Sequence, residues 1–363
     1  MGRIIVFLFI AFNLHATDSN EEKLFLYLHH KAHLKDKKEP HHKIESHLNA
    51  FKRVFSKGRI DIYELKKGMN FPLEMTDLLR PIKKGDWKVI PPEKLTEKLN
   101  SVPEILELIK KLDTSRVRYH LEYASGQASR RSGAPGNQEL TAYILYYLKK
   151  LNYEIKKDCF SPGLCNAFGY KKGEIDEYVL VEAHLDSVGK SYAGADDNAS
   201  GVAGLLEMAK VLSDLKTKRG LIIFATNGEE SGLLGAKDFV AKSKRSGFLS
   251  KIKYVINMDM IGYNKNGVVD IETNRNFEDL AKWKSKLTNT YTSLKPLITM
   301  PAWGSDHVPF LQNGVPAILT IEHWKTKTPC YHRGCDKPET INYEYLMEIL
   351  KLNIASSYLK LLY

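Results

Sequence analysis

The residues able to do chemistry fall in five short settings along this 363-residue chain. They are His184-Leu-Asp-Ser, Gly194-Ala-Asp-Asp-Asn-Ala-Ser-Gly, Gly228-Glu-Glu-Ser-Gly-Leu-Leu-Gly, Asn257-Met-Asp-Met and Tyr331-His-Arg-Gly-Cys-Asp. Imidazole and carboxylate are the donors that hold Zn²⁺ or a similar divalent ion ready for hydrolysis. The set points to a metal-activated water attacking a peptide-like bond.

The elements that must position these groups are legible around them. Tyr178-Val-Leu-Val-Glu-Ala is a short apolar run of β type, and His184 follows it directly. Gly220-Leu-Ile-Ile-Phe-Ala-Thr is a second run, with Glu229 and Glu230 just past its end. Lys253-Tyr-Val-Ile-Asn-Met is a third, ending at Asp259. Asp196 and Asp197 precede a helical pattern whose core face is Val202, Leu205, Leu206, Ala209 and Leu212. In open α/β sheets ligands bind beyond the carboxyl ends of the strands, and these motifs all fall at that edge. Taken singly, each has a plainer explanation. An Asp before a helix is most often an N-cap, and a Glu pair at a helix start is favoured by the macrodipole. Only their joint placement makes a site.

With these motifs, residues from about 115 to 361 resemble the co-catalytic di-zinc aminopeptidases of the bacterial leucyl-aminopeptidase type. The resemblance implies an α/β domain with a mixed, mostly parallel central sheet flanked by helices on both faces. It makes His184 and Asp259 ligands of one zinc and Glu230 and His332 ligands of the other, with Asp197 bridging both and Glu229 as general base. It also implies a cis peptide between Asp197 and Asn198. The family usually has His-Thr-Pro-x-Asp around the last ligand; here the segment is His332-Arg-Gly-Cys-Asp336, a departure in the loop.

Physical chemistry supports the same roles. Two cations about 3.5–4 Å apart lower the pKa of a shared water, and an anionic bridge offsets their repulsion. A carboxylate that is not a ligand can take the proton and pass it to the leaving amine. Asp186, two residues after His184, is placed to hold that imidazole's other nitrogen. Asp306 is the corresponding candidate for His332. Met260, beside Asp259, is a candidate for an apolar substrate pocket or simply a core methionine. Other templates are missing from the sequence: no Gly-x-Ser-x-Gly elbow, no His-Glu-x-x-His and no glycine-rich phosphate loop. Ser305-Asp306-His307 is consecutive and starts a helix through Gln312, so it makes no relay.

Composition bounds the setting. Met1-Gly-Arg3, an apolar run to Phe12 and a small residue at Ala16 have the form of a secretory signal peptide. The run is too short to span a bilayer comfortably, so no membrane insertion of the mature chain is expected, and the protein is expected to be secreted or periplasmic. Export gives meaning to the four cysteines, Cys159, Cys165, Cys330 and Cys335. Sequence permits three pairings; the two local ones are expected here, the second bracing the loop of His332. The formal net charge is +11. It is interspersed and lacks a nucleic-acid motif, so a solvated basic surface is expected and no nucleic-acid partner.

Residues 17–100 hold 18 Lys/Arg and 13 Asp/Glu. Glu21–Ala32 and His41–Phe55 have helical character, and six histidines between His29 and His47 lie among lysines on what we take to be a solvated face. Pro91-Pro92 marks a break, and Ser101 with Glu104 forms a capping-box pattern opening a helix through Leu112. The expected organisation is a signal peptide (1–16), a helical basic N-terminal extension (17–100), either prosegment or accessory, and a zinc peptidase domain (101–363). The expected function is exported, zinc-dependent removal of N-terminal, apolar residues from peptides, with two Zn²⁺ per chain. Alternatives are a glutaminyl cyclase or carboxypeptidase on the same fold and, more remotely, a non-catalytic binding module.

Overall fold

The computed structural model describes residues 24–28, 50–57, 60–66, 69, 79–82, 87–189, 193–302 and 304–363. The signal-peptide segment and the histidine tract lie outside them. The chain divides into two compact units, Met1–Lys84 and Gly85–Tyr363.

Among its described residues the first unit has four strands: β1 (Leu24–Leu28), β2 (Phe51–Lys57), β3 (Ile60–Leu65) and β4 (Leu79–Ile82). They form an antiparallel sheet in the order β2-β3-β1-β4. This corrects the helical expectation for the extension: Leu24–Leu28 and Phe51–Lys57 are strands. In the Ile60-Asp-Ile-Tyr-Glu-Leu segment the β-branched isoleucines and the tyrosine suit a pleated surface. Strand pairing, with distant segments for β1 and with the next strand for β2, outweighed the local helical spacing.

The second unit is built on nine strands. These are β5 (Lys88–Ile90), β6 (Glu154–Ser161), β7 (Leu164–Lys171), β8 (Ile175–His184), β9 (Arg219–Thr226), β10 (Ile252–Met258), β11 (Val268–Glu272), β12 (Lys295–Met300) and β13 (Ala317–Glu322). Their order is β5-β12-β11-β13-β10-β8-β9-β7-β6. The four central strands, β13-β10-β8-β9, run parallel. Antiparallel pairings β9/β7 and β7/β6 close one side and β13/β11 and β12/β5 occur on the other, with β11/β12 parallel. The sheet is therefore mixed, with parallel pairing concentrated at its centre. The division after Lys84 falls ahead of the expected boundary at 100, because Lys88–Ile90 pairs with Ile298–Met300 of β12.

Helices cover both faces. They are α1 (Pro103–Lys110), α2 (Thr114–Ser125), α3 (Pro135–Lys150), α4 (Gly201–Leu212), α5 (Leu234–Arg245), α6 (Glu278–Tyr291), α7 (His307–Gln312) and α8 (Tyr343–Leu362). Strand alternation sorts the core into two clusters. Val179, Val181, Ala183, Leu221, Ile223 and Ile256 pack with residues of α1–α4, α6 and α8. Leu180, Ile222, Phe224 and Val255 pack with Phe239 of α5 and Phe310 of α7. Helix α1 starts at Pro103 without a side-chain cap, which corrects the capping-box expectation for Ser101. Proline's fixed φ suits the first helical position.

Candidate metal centre at the carboxyl ends of the parallel strands

Strands β10, β8 and β9 are parallel neighbours, so their carboxyl ends share one edge. His184 is the last residue of β8, Asp259 follows β10, and Glu229 and Glu230 follow β9. Asp197 lies in a tight turn, Ala195–Ser200, before α4, and His332 in the loop after β13. The structure brings His184, Asp197, Asp259, Glu230 and His332 together. His184 Nε2 lies 3.3 Å from both Asp197 Oδ1 and Asp259 Oδ1. His332 Nε2 lies 2.9 Å from Asp197 Oδ2 and 3.5 Å from Glu230 Oε1. In each of two groups, His184/Asp197/Asp259 and Asp197/Glu230/His332, one donor atom per residue lies within 4.8 Å of the others. Asp197 belongs to both and turns a different oxygen to each. Glu229 is buried in the same loop as Glu230.

The electrostatics follow from this crowding. Burial alone would raise the Asp197 carboxyl, but the His184 and His332 imidazoles hold it well below the usual carboxylate range. Burial opposes charge on His184, yet Asp259, Asp186 and Asp197 outweigh it and raise its pKa well above the ordinary imidazole value. A donor set of opposed carboxylates and imidazoles suits a divalent cation. Beyond their contact with each other, His332 Nε2 and Asp197 Oδ2 are buried without a further hydrogen-bond partner, which also fits a cation shared by them.

The supports differ in part from expectation. His184 Nδ1 is held, at 3.1 Å, by the backbone carbonyl of Asp186, while the Asp186 carboxylate is 3.7 Å away. That carboxylate instead accepts from the amides of Gly228, Glu229 and Glu230 at 2.9, 3.1 and 3.1 Å. It also takes the Ser132 hydroxyl at 3.0 Å. Asp186 thus sets the loop carrying both glutamates. Asp306 does not serve His332, as the sequence suggested; its carboxyl accepts from the Thr226 hydroxyl at the end of β9. Burial, then the nearby Glu229 charge, raise its pKa well above the usual range. Because α7 starts right after it, Asp306 is held against β9 rather than reaching the 330s loop. Met260 is buried at φ +52 with Leu319 and Ile321, and half-buried Trp324 and Tyr331 pack against them.

The turn of Asp197 is fixed by residues whose roles the sequence did not reveal. The Asp197–Asn198 peptide is cis. The Asp336 carboxylate accepts the Asp196 and Asp197 amides at 2.8 and 3.1 Å, and burial pushes its pKa up to about 6. Asn198 donates to the Met258 carbonyl at 2.9 Å and accepts from the Gly201 amide at 2.9 Å. A Cβ at Gly201 would lie 2.3 Å from Asn198 Oδ1, so glycine is required by close approach. Fully buried Arg130 donates to the carbonyls of Leu185, Ala193, Gly194 and Ala124. Its only sequence signal was a basic residue between two helical patterns, which is too common to single out. Cys159–Cys165 and Cys330–Cys335 are disulfide-bonded.

Imidazoles and carboxylates gathered past the carboxyl ends of central parallel strands place the chain among α/β enzymes whose site lies at that edge. It belongs to peptidase family M28, whose profile matches residues 167–356. The chain is similar to a probable leucine aminopeptidase 1 of Trichophyton verrucosum (strain HKI 0517), at 31% identity over 205 residues, covering 50% of this chain and 54% of that protein. It thus spans about half the length of that relative. Its fold is similar to LapB from Legionella pneumophila, with TM-score 0.66 and 15% identity, covering 92% of this chain and 98% of the other. It is also similar to the glutaminyl cyclase of Macrostomum lignano, with TM-score 0.62 and 21% identity, covering 73% and 95%.

Proposed function

We propose that the protein is an exported, zinc-dependent aminopeptidase that holds two Zn²⁺ and releases N-terminal, apolar residues from peptides. The observation that carries this reading is Asp197, which offers one oxygen to His184 and Asp259 and the other to Glu230 and His332. Ions so held would lower the pKa of a bound water and polarise the peptide carbonyl.

The remaining work falls to the chain. The Asp186 carbonyl on His184 Nδ1 leaves Nε2 to face the cluster. Glu229, the base in this proposal, takes a proton from the attacking water on its carboxylate and returns it to the leaving amine nitrogen. Three amides on Asp186 keep its loop in place. Half-buried Trp324 and Tyr331, in front of Met260, offer an apolar wall beside His332. Two disulfides agree with an oxidising compartment.

The test is a panel of amino-acid amides and peptides, with metal analysis on the same purified sample. Two zinc ions per chain, loss of hydrolysis on chelation, recovery with Zn²⁺ and preference for Leu-like amides are expected. Hydrolysis that survives exhaustive chelation would remove the reading. Cyclisation of N-terminal Gln peptides without amide hydrolysis would replace it by a cyclase.

A further inference from the structure

We infer that the Cys330–Cys335 disulfide is a redox-addressable clamp on one half of the site: it sets the His332 donor of the Asp197/Glu230/His332 group and leaves the His184/Asp259 side independent. This rests on the proposal above that the two groups hold cations.

The disulfide closes a short loop with His332 inside it. His332 sits at φ +57, a left-handed conformation that non-glycine side chains adopt only when their surroundings impose it. Within the ring the backbone bond is Arg333 N to the Cys330 carbonyl, 2.9 Å, followed by Asp336 N to the Arg333 carbonyl, 3.1 Å; ahead of His332, Tyr331 packs on Trp324 and Thr328 holds the Cys330 and Tyr331 amides. Asp336 comes directly after Cys335 and clamps the amides of Asp196 and Asp197. The cross-link therefore governs the His332 imidazole, which serves only the second group, while the turn that aims Asp197 is held besides by Asn198 and Arg130. His184 and Asp259 need no such loop, since they end or follow strands locked in the central sheet.

The bond is open to exchange. Cys335 is exposed and Cys330 half-buried. A dithiol reductant supplies two electrons and two protons: its thiolate attacks one sulfur, a mixed disulfide forms, and its second thiol closes the reductant's own disulfide. Cys330 and Cys335 leave as thiols. Cys159–Cys165 makes an internal control, because β6/β7 pairing holds those residues opposite each other in any case. The disulfide and Asp336 are positioning groups, not catalytic residues.

The experiment is Zn²⁺ titration of the metal-stripped full chain, reading stoichiometry and affinity rather than turnover. Samples are oxidised wild type, C330S/C335S, C159S/C165S, and wild type reduced, alkylated and then freed of reductant. Serine is used because freed thiols can themselves bind zinc. Wild type and C159S/C165S should bind two ions. C330S/C335S should keep one at unchanged affinity and bind the other roughly 10–100-fold more weakly, the usual cost of losing a group that orients ligands. Wild type reduced and then alkylated, so that no free thiol can take zinc, should follow the serine pair, and it carries the test if that variant fails to fold. Two ions at wild-type affinity in both C330S/C335S and the reduced chain would overturn the inference, as would equal weakening of both ions in a natively folded sample. Fewer than two ions in oxidised wild type would remove the underlying reading, and the inference with it.

Discussion

Asp186 shows how a carboxylate can matter to a centre without being a ligand. It holds His184 by its carbonyl and the glutamate loop by its side chain. Glu229 then needs only its carboxylate to complete the proposed chemistry. Glu229→Gln keeps the shape and removes the base, so turnover of a leucine amide should fall about 10²–10⁴-fold with zinc content unchanged. Loss of zinc in that variant would assign Glu229 to the ligand set instead. At this scale the sequence was informative because each motif ended a recognisable strand. Asp186 does hold His184, by its carbonyl rather than its carboxylate, while Asp306 meets Thr226 instead of His332, because spacing along a chain does not say which atom or neighbour a side chain will meet. Arg130 and Asp336 act through backbone atoms, and such contacts leave no pattern in residue types.

Among elements, the pairing of α2 with α3 carries its own pH dependence. His120 of α2 is buried against Tyr143 and Tyr147 of α3, its Nδ1 2.7 Å from the Tyr143 hydroxyl. Burial, with a smaller push from Arg116, lowers its pKa from 6.5 to about 4. Between these values the unfolded chain binds a proton that the folded one refuses. Stability is therefore lost as pH falls through 6.5 toward 4, by something on the order of 3 kcal/mol. His120→Phe should flatten that part of the curve in denaturant melts at pH 4–7, and an unchanged difference across the window would refute the assignment. Elements in the second unit were legible because long apolar runs and helical faces agree with their tertiary use. Leu24–Leu28 was misread because a short apolar segment fits either period and its partners lie far along the chain; Phe51–Lys57 was misread because its hairpin with the next strand leaves no clear period in its mixed residues.

For the molecule as a whole, the division after Lys84 bears on processing. We propose that the first unit is a prosegment. If so, the exported enzyme should begin near residue 84 rather than 100, because Lys88–Ile90 completes the large sheet. N-terminal sequencing checks this: a fully active mature chain starting at Thr17 would show the unit to be a permanent part. The resemblance reached only the second unit, so nothing in the motifs could speak for the first.

The nine-stranded sheet also has two ends. An unpaired strand edge is a template on which another chain can add a strand. At one end stands β5, only three residues long. At the other, β6 exposes Lys156 and Lys157 in succession, and its hairpin with β7 is cross-linked through Cys159–Cys165. A short strand offers few groups to pair with, and lysines make edge-to-edge stacking of two copies repulsive. Among the described residues, then, both ends of the large sheet carry features that weigh against edge-to-edge stacking of copies.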